Sequence, residues 1–185
     1  MGETAFWKTL HTTGHDAALL AEAGKGWRLS GTAVFLHEGA PACLHYALDL
    51  EPDWSTRRGR IDGFVGTKPV SRRIERDAEG WTLDGVRQTG VAHCVDLDLG
   101  FTPATNCPQL KRMGLSVGQS ASIDVAWLDV ESDTLIALPQ IYKRTGNDTY
   151  DYNSPQGPYL ATLHIAANGF VSDYPGLWIS CCAAT

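Results

Sequence analysis

The sequence predicts an all-β chain with little helix, and three observations carry that prediction. Apolar and polar residues alternate along most of the 185 positions, the period of a strand with one buried face. The alternating runs are joined by hairpin-length turns at Asp77-Ala78-Glu79-Gly80, Asp84-Gly85, Gly146-Asn147-Asp148 and Asn168-Gly169, too short for parallel crossovers. Helix signal is confined to Asp16 through Glu22, where Asp16 is placed as a cap, Ala17, Ala18, Leu19, Leu20 and Ala21 propagate, and Gly24 stops the segment.

Taken in order, alternation places strands at Thr32 to Leu36, Ala42 to Leu50, Arg58 to Gly66, Ser71 to Arg76 and Gly80 to Leu83. It places further strands at Cys94 to Leu99, Ser122 to Val130, Thr134 to Lys143, Tyr159 to Ala166 and Gly169 to Asp173. Asp84-Gly85 and Asn168-Gly169 favour the left-handed positions of a type I′ turn. About ten or more mostly antiparallel strands with so little helix form a barrel, roll or sandwich. No composition shift or repeat marks a boundary, so residues 1–185 read as one domain.

Composition narrows the function. A hydrophobic content of 43% with six Trp, six Tyr and five Phe argues against disorder. A formal charge of −6, with no basic run longer than Lys111-Arg112, disfavours nucleic acid and anionic membranes. The opening Met-Gly-Glu-Thr-Ala-Phe-Trp lacks the basic region and apolar run of a secretory signal, and no window is apolar enough to span a membrane. A cytoplasmic location is therefore expected. The five cysteines, including the adjacent Cys181-Cys182, form no CxxC pair and read as buried or incidental thiols in a reducing compartment.

The chemistry-bearing stretch is Cys94-Val95-Asp96-Leu97-Asp98-Leu99, whose alternation puts Asp96 and Asp98 on one strand face, about 7 Å apart. Three readings stand open for the pair: a solvated face, a binding role, or a catalytic pair of a hydrolase, which needs its two pKa values pushed apart. Two neighbours on one strand have a glycosidase-like separation without the opposition across a bond that such enzymes use. Arg112 is placed to clamp Asp96 or Asp98, and Thr105-Asn106 to satisfy turn backbone, a network that needs no ligand.

Gly114-Leu115-Ser116-Val117-Gly118 matches a nucleophile elbow by letter, but neither the strand before it nor the helix after it is present. Cys43 with His45 and His93 with Cys94 are isolated pairs, so no metal is expected. The nucleotide-binding glycine loops are missing, and no cofactor is expected. Trp27, Trp54, Trp81, Trp127 and Trp178 recur through the hairpins with Tyr46, Phe64, Tyr142, Tyr159 and Tyr174, either as core or as the wall of an apolar cavity. Alternation places Ile123, Val125 and Trp127 on the inward face of their strand. Asp96, Asp98 and Gln140 would supply polar anchors in such a cavity.

Several blocks then carry a resemblance. Val95 through Asp98, Thr102-Pro103-Ala104-Thr105-Asn106-Cys107-Pro108-Gln109-Leu110-Lys111-Arg112-Met113-Gly114-Leu115, Gln140-Ile141-Tyr142 and Val171-Ser172-Asp173-Tyr174-Pro175-Gly176-Leu177-Trp178 are one set. Tyr46, Asp53-Trp54-Ser55-Thr56-Arg57 and Gly80-Trp81-Thr82-Leu83-Asp84-Gly85 are the earlier ones. In order and spacing the chain resembles a bacterial glycolipid-binding family, formerly a domain of unknown function, over roughly residues 5 to 180. The resemblance implies a spiral β-roll, or partly open barrel, with an apolar interior for an amphipathic ligand such as a lipid or glycolipid. It carries Asp96, Asp98, Thr105, Asn106, Arg112, Gln140, Tyr142, Asp173, Tyr174 and Pro175 over as site positions. The chain departs from the family at Ala104, where an aromatic is usual, and at Cys107-Pro108-Gln109-Leu110-Lys111-Arg112, where the usual run is Leu-Pro-Ile-Arg-Arg. Noncatalytic binding is the leading expectation; a hydrolase using Asp96 and Asp98, and a structural protein without a ligand, are the alternatives.

Overall fold

The structure, a computed structural model, describes residues 2–181; Cys182 of the Cys181-Cys182 pair lies outside them. The strands are β1 (Glu3–Thr9), β2 (Gly14–Ala23), β3 (Gly26–His37), β4 (Ala40–Leu50), β5 (Thr56–Val65), β6 (Lys68–Asp77), β7 (Gly80–Leu83), β8 (Val86–Arg87) and β9 (Leu97–Leu99). After the helix α1 (Asn106–Met113) come β10 (Ser120–Leu128), β11 (Ile136–Arg144), β12 (Thr149–Ser154), β13 (Tyr159–Ile165), β14 (Val171–Tyr174) and β15 (Trp178–Ser180). They form one 15-stranded sheet in the order β8-β7-β6-β5-β4-β3-β2-β1-β15-β14-β13-β12-β11-β10-β9. The pairings are antiparallel except β9 with β10, which run parallel. The two edges are different strands that do not pair, so the sheet is open.

The sheet rolls up because one face is apolar. On β4, Ala42, Leu44, Tyr46 and Leu48 are buried while Cys43, His45 and Ala47 alternate outward. The β9 edge tucks inside this roll. The Thr56 N–H at the start of β5 donates to Val95 O (2.9 Å), the Leu97 N–H donates to Thr56 Oγ1 (3.1 Å), and the Trp81 indole donates to Cys94 O (2.9 Å). Leu97 lies against Gly59 so closely that a Cβ there would meet it at 2.5 Å. Leu97, Leu99, Ala126 and Leu128 are therefore buried on one face of β9 and β10 while Asp98 and Val125 are buried on the other. At Asp84-Gly85 both residues take positive φ (51° and 81°), as the type I′ reading requires.

Several segments differ from the sequence expectation, among them β1, β12 and β15, for which no strand is expected. Residues 16–22 belong to β2, not to a helix: their burial alternates from Asp16 to Leu20, and β1 and β3 on either side supply the backbone partners. The Ala- and Leu-rich run has helical propensity, and the flanking sheet overrides it. Asp16 is no cap; it points inward and is 1% exposed. A further difference is α1, which lies outside the one segment where the sequence shows helix signal. Its first five residues, Asn106 to Leu110, are all buried, so its first turns sit inside the roll with no solvent face. Pro108 lies in the first turn, where a missing N–H costs nothing, and Gly114 closes the helix at φ 56° with its N–H on Leu110 O (3.1 Å). The strand expected from Cys94 begins only at Leu97. No helix among the described residues is long and apolar enough to cross a membrane.

Candidate functional site

The two carboxylates lie on the side of β9 that faces α1, and the helix divides them. Asp96 takes a bidentate clamp from Arg112 in the last turn: Nε lies 2.9 and 3.1 Å from the two carboxylate oxygens and Nη2 lies 2.5 Å from Oδ2. That pair leaves Asp96 with 2% of its side chain exposed and holds the Arg112 guanidinium above its usual pKa. Asp98 has no cation. The Thr105 hydroxyl donates to its Oδ1 (2.5 Å) and Gln140 Nε2 donates to its Oδ2 (2.8 Å). Thr105 stands at the helix N-cap, yet its side chain makes no capping bond, because its hydroxyl serves Asp98. Burial pushes the Asp98 pKa up, against those two donors.

Behind Asp98 lies a second polar layer. The Tyr142 hydroxyl accepts from Asn106 Nδ2 (2.9 Å) and sits 3.0 Å from both Gln109 Oε1 and Gln140 Oε1, serving one at a time with its single hydrogen. On the other side, the loop between β9 and α1 is anchored through Thr102, whose hydroxyl meets Asp16 and lies 3.1 Å from the Tyr46 hydroxyl. Tyr46 donates to Asp16 at 3.1–3.2 Å. Desolvation raises the Asp16 pKa to about 6.

In front of Asp98 a cavity of about 440 Å³ opens. The parallel register sets Trp127 directly beside Asp98, and Ile136 beside Trp127 on the next strand. Tyr152, Tyr159, Tyr174 and Trp178 form the facing wall as one chain of ring contacts with centroids 5.4 to 6.0 Å apart. Burial lifts the Tyr152 and Tyr159 pKa values to about 12, so the wall presents neutral phenols. Thr102 and Asn106 complete the buried end; exposed Gln156, Gly157 and Ile136 line the open one. Gly100 is needed here, since a Cβ would come within 2.9 Å of the Trp127 ring. A second, shallow depression of about 530 Å³ over β1–β4 is floored by small residues such as Ala17, Ala18 and Gly31 and lacks such walls.

Of the positions singled out in the sequence, Asp98, Asn106, Trp127 and Tyr174 meet in the cavity wall. Thr105, Gln140 and Tyr142 stand behind them, while Asp96, Arg112 and Asp173 are not in the lining. Tyr152 is in the wall and was missed; its strand β12 alternates Tyr150 and Tyr152 with Asp151 and Asn153, a pattern obscured by the polar turn before it. Among the described residues no group of three or more His, Cys, Asp or Glu is placed to hold a metal ion.

Residues 4–179 match the family described as "Putative glycolipid-binding". The chain belongs to this family. A crystal structure of a DUF1089 family protein from Pseudomonas aeruginosa is similar to it, with 26% identity, a TM-score of 0.77, and coverage of 89% of this chain and 91% of that one. No curated protein matches the sequence. Ala104 and, within the Cys107-to-Arg112 run, Gln109 are fully buried: Ala104 packs into the core, and Gln109 faces Tyr142, while Lys111 is exposed.

Proposed function

We propose that the protein binds, without catalysis, an amphipathic small molecule, a lipid or glycolipid, in the cavity in front of Asp98. The observation that carries this reading is the cavity itself: a wall of neutral aromatic rings around a single carboxyl, of a volume within the range of about 300–1,000 Å³ usual for small-molecule sites. Aromatic rings with polar tips suit both a sugar face and an apolar tail. Membership of the glycolipid-binding family supports the same ligand class. Site roles follow from position: Asp98 and Asn106 anchor the polar part, Trp127 and Tyr174 pack against the ligand, and Thr105, Gln140 and Tyr142 hold the anchors in place.

Against a hydrolase stands the fate of the second carboxylate. Asp96 is neutralised by Arg112 and is not in the lining, so no acid opposes Asp98 across a bound ligand among the described residues. The free thiols Cys43, Cys94, Cys107 and Cys181 support a reducing, cytoplasmic setting. Native mass spectrometry of protein purified from its own cells, followed by solvent extraction, tests the proposal. A bound species that is released as a lipid or glycolipid is the expected result; protein at its bare mass that also takes up no added lipid would refute it.

A further inference from the structure

The cavity carries its polar anchors among its buried residues, unlike a simple acyl-chain pocket. Asp98, Thr102 and Asn106, 8%, 3% and 3% exposed, stand there beside the buried Tyr152, Tyr174 and Trp178 rings. Its exposed lining includes apolar Ile136, 45% exposed, and half-buried Leu177, with uncharged Gln156 and Gly157. Strand direction places the mouth. The β9 end, the β10–β11 connection and the turns at 155–158 and 175–177 all gather at one end of the roll.

Charge adds a second constraint. No Lys, Arg or His lies among the cavity-lining residues, and the residues outside the described span carry no such side chain. The two cations of α1 are committed elsewhere: Arg112 to Asp96, and Lys111 over the Trp54 ring at 5.2 Å. His11 stays outside, its ring edge-on to Trp178 at 5.5 Å. An anionic group at the buried end would meet a carboxyl and no compensating charge. Asp98 accepts from two neutral donors, and burial raises its pKa, which weakens it as a counter-charge for an ammonium group and leaves lone pairs for a hydroxyl.

Size adds a third. At about 30 Å³ for each water-sized group, 440 Å³ holds roughly fifteen such groups. That suits one sugar ring with a short stretch of tail, and falls well short of a diacyl lipid.

We propose that the cavity takes its ligand head-first: an uncharged, hydroxyl-rich group about the size of one sugar ring sits on Asp98, Thr102 and Asn106, and the tail leaves past Ile136 and Leu177. The ring lies between Trp127 and the Tyr159–Trp178 wall, while its hydroxyls donate to the lone pairs of Asp98 left free by Thr105 and Gln140. This rests on the reading of the cavity as a ligand site.

Calorimetric titration of the whole protein with octyl β-glucoside, octyl sulfate and octyltrimethylammonium, and with butyl and hexyl β-glucosides, all below their micellar concentrations, tests it. The expected result is that octyl glucoside binds at least about ten-fold tighter than either charged probe, and that glucoside affinity levels off as the tail lengthens. A tail buried throughout would instead gain about four-fold per added methylene. That steady gain overturns the head-first orientation, and charged probes binding as well as the glucoside overturn the head-group class. In both cases the cavity remains a ligand site. Absence of binding by all five probes overturns the proposal, and the native-mass measurement then decides separately whether the cavity binds a ligand. Asp98→Asn, checked by thermal melt for an intact fold, is expected to weaken octyl glucoside binding by about ten-fold; unchanged affinity in a folded variant removes Asp98 from the recognition.

Discussion

Replacing Arg112 with Met tests the division of labour between the two carboxylates. The Asp96 side chain is 2% exposed and Arg112, its cationic partner, is 24% exposed. Removing the guanidinium strands a buried carboxylate, a change that costs about 3–5 kcal/mol in comparable settings. Because Arg112 reaches the surface, water can enter the vacated space, and the expected loss lies near the lower end, about 3 kcal/mol. At about 2–4 °C per kcal/mol for a chain of this size, the melting temperature should fall by roughly 6–12 °C. Asp96→Leu combined with Arg112→Met removes both charges, and should recover most of that loss. Urea denaturation measures the stabilities, and octyl glucoside titration at low temperature should give an affinity within about three-fold of wild type, since neither residue lines the cavity. An Arg112→Met protein within about 1 kcal/mol of wild type, or one that loses binding while keeping stability, would refute this assignment.

Three further outcomes follow from the same geometry. Trp127→Ala should cost about 1–3 kcal/mol, less than a fully buried tryptophan because the side chain is only partly buried and lines the cavity, and should weaken glucoside binding by at least about ten-fold; a melt and a titration check both. The raised pKa of Asp16, about 6 against 3.8, makes its neutral form stabilising: the contribution, up to about 3 kcal/mol, is complete below pH 4 and lost as pH rises through 6. Asp16→Asn should flatten that part of the stability–pH curve, as urea unfolding between pH 4 and 7 would show. Burial pushes the thiols of Cys94 and Cys107 up to about 11 and 12, so iodoacetamide at pH 7.5 should label exposed Cys181 and spare both until the chain is unfolded, as read by peptide mass mapping.

The fold was largely legible because rolling a sheet around one core imposes a two-residue burial period, and β4, β6, β10 and β11 carry that period in their sequence. Propensity misled at residues 16–22, where alanine and leucine suit a helix but β1 and β3 decide the matter. The helix α1 was hidden for the opposite reason: buried on all sides in its first turns, with Asn106, Pro108 and Gln109 inside, it shows no amphipathic stripe. The site followed the same pattern. That Asp96 and Asp98 share a side came from alternation, but which of them Arg112 takes depends on where α1 sits, a contact across the roll that spacing does not encode. Trp127 was placed inward by its strand, and its pairing with Asp98 needed the parallel β9–β10 register, which no hairpin turn announces.

Photo-crosslinking with an alkyl glucoside that carries a diazirine in its tail tests the central claim most directly, because it reports where a bound amphiphile lies. Adducts confined to the peptides containing Ile136, Tyr159 and Leu177, and suppressed by excess octyl glucoside, are the predicted result. Adducts on the outward apolar side chains of β1, β3 and β5, where Phe6, Val34 and Phe64 are 41%, 52% and 44% exposed, would contradict it and place the ligand on the outer face of the sheet.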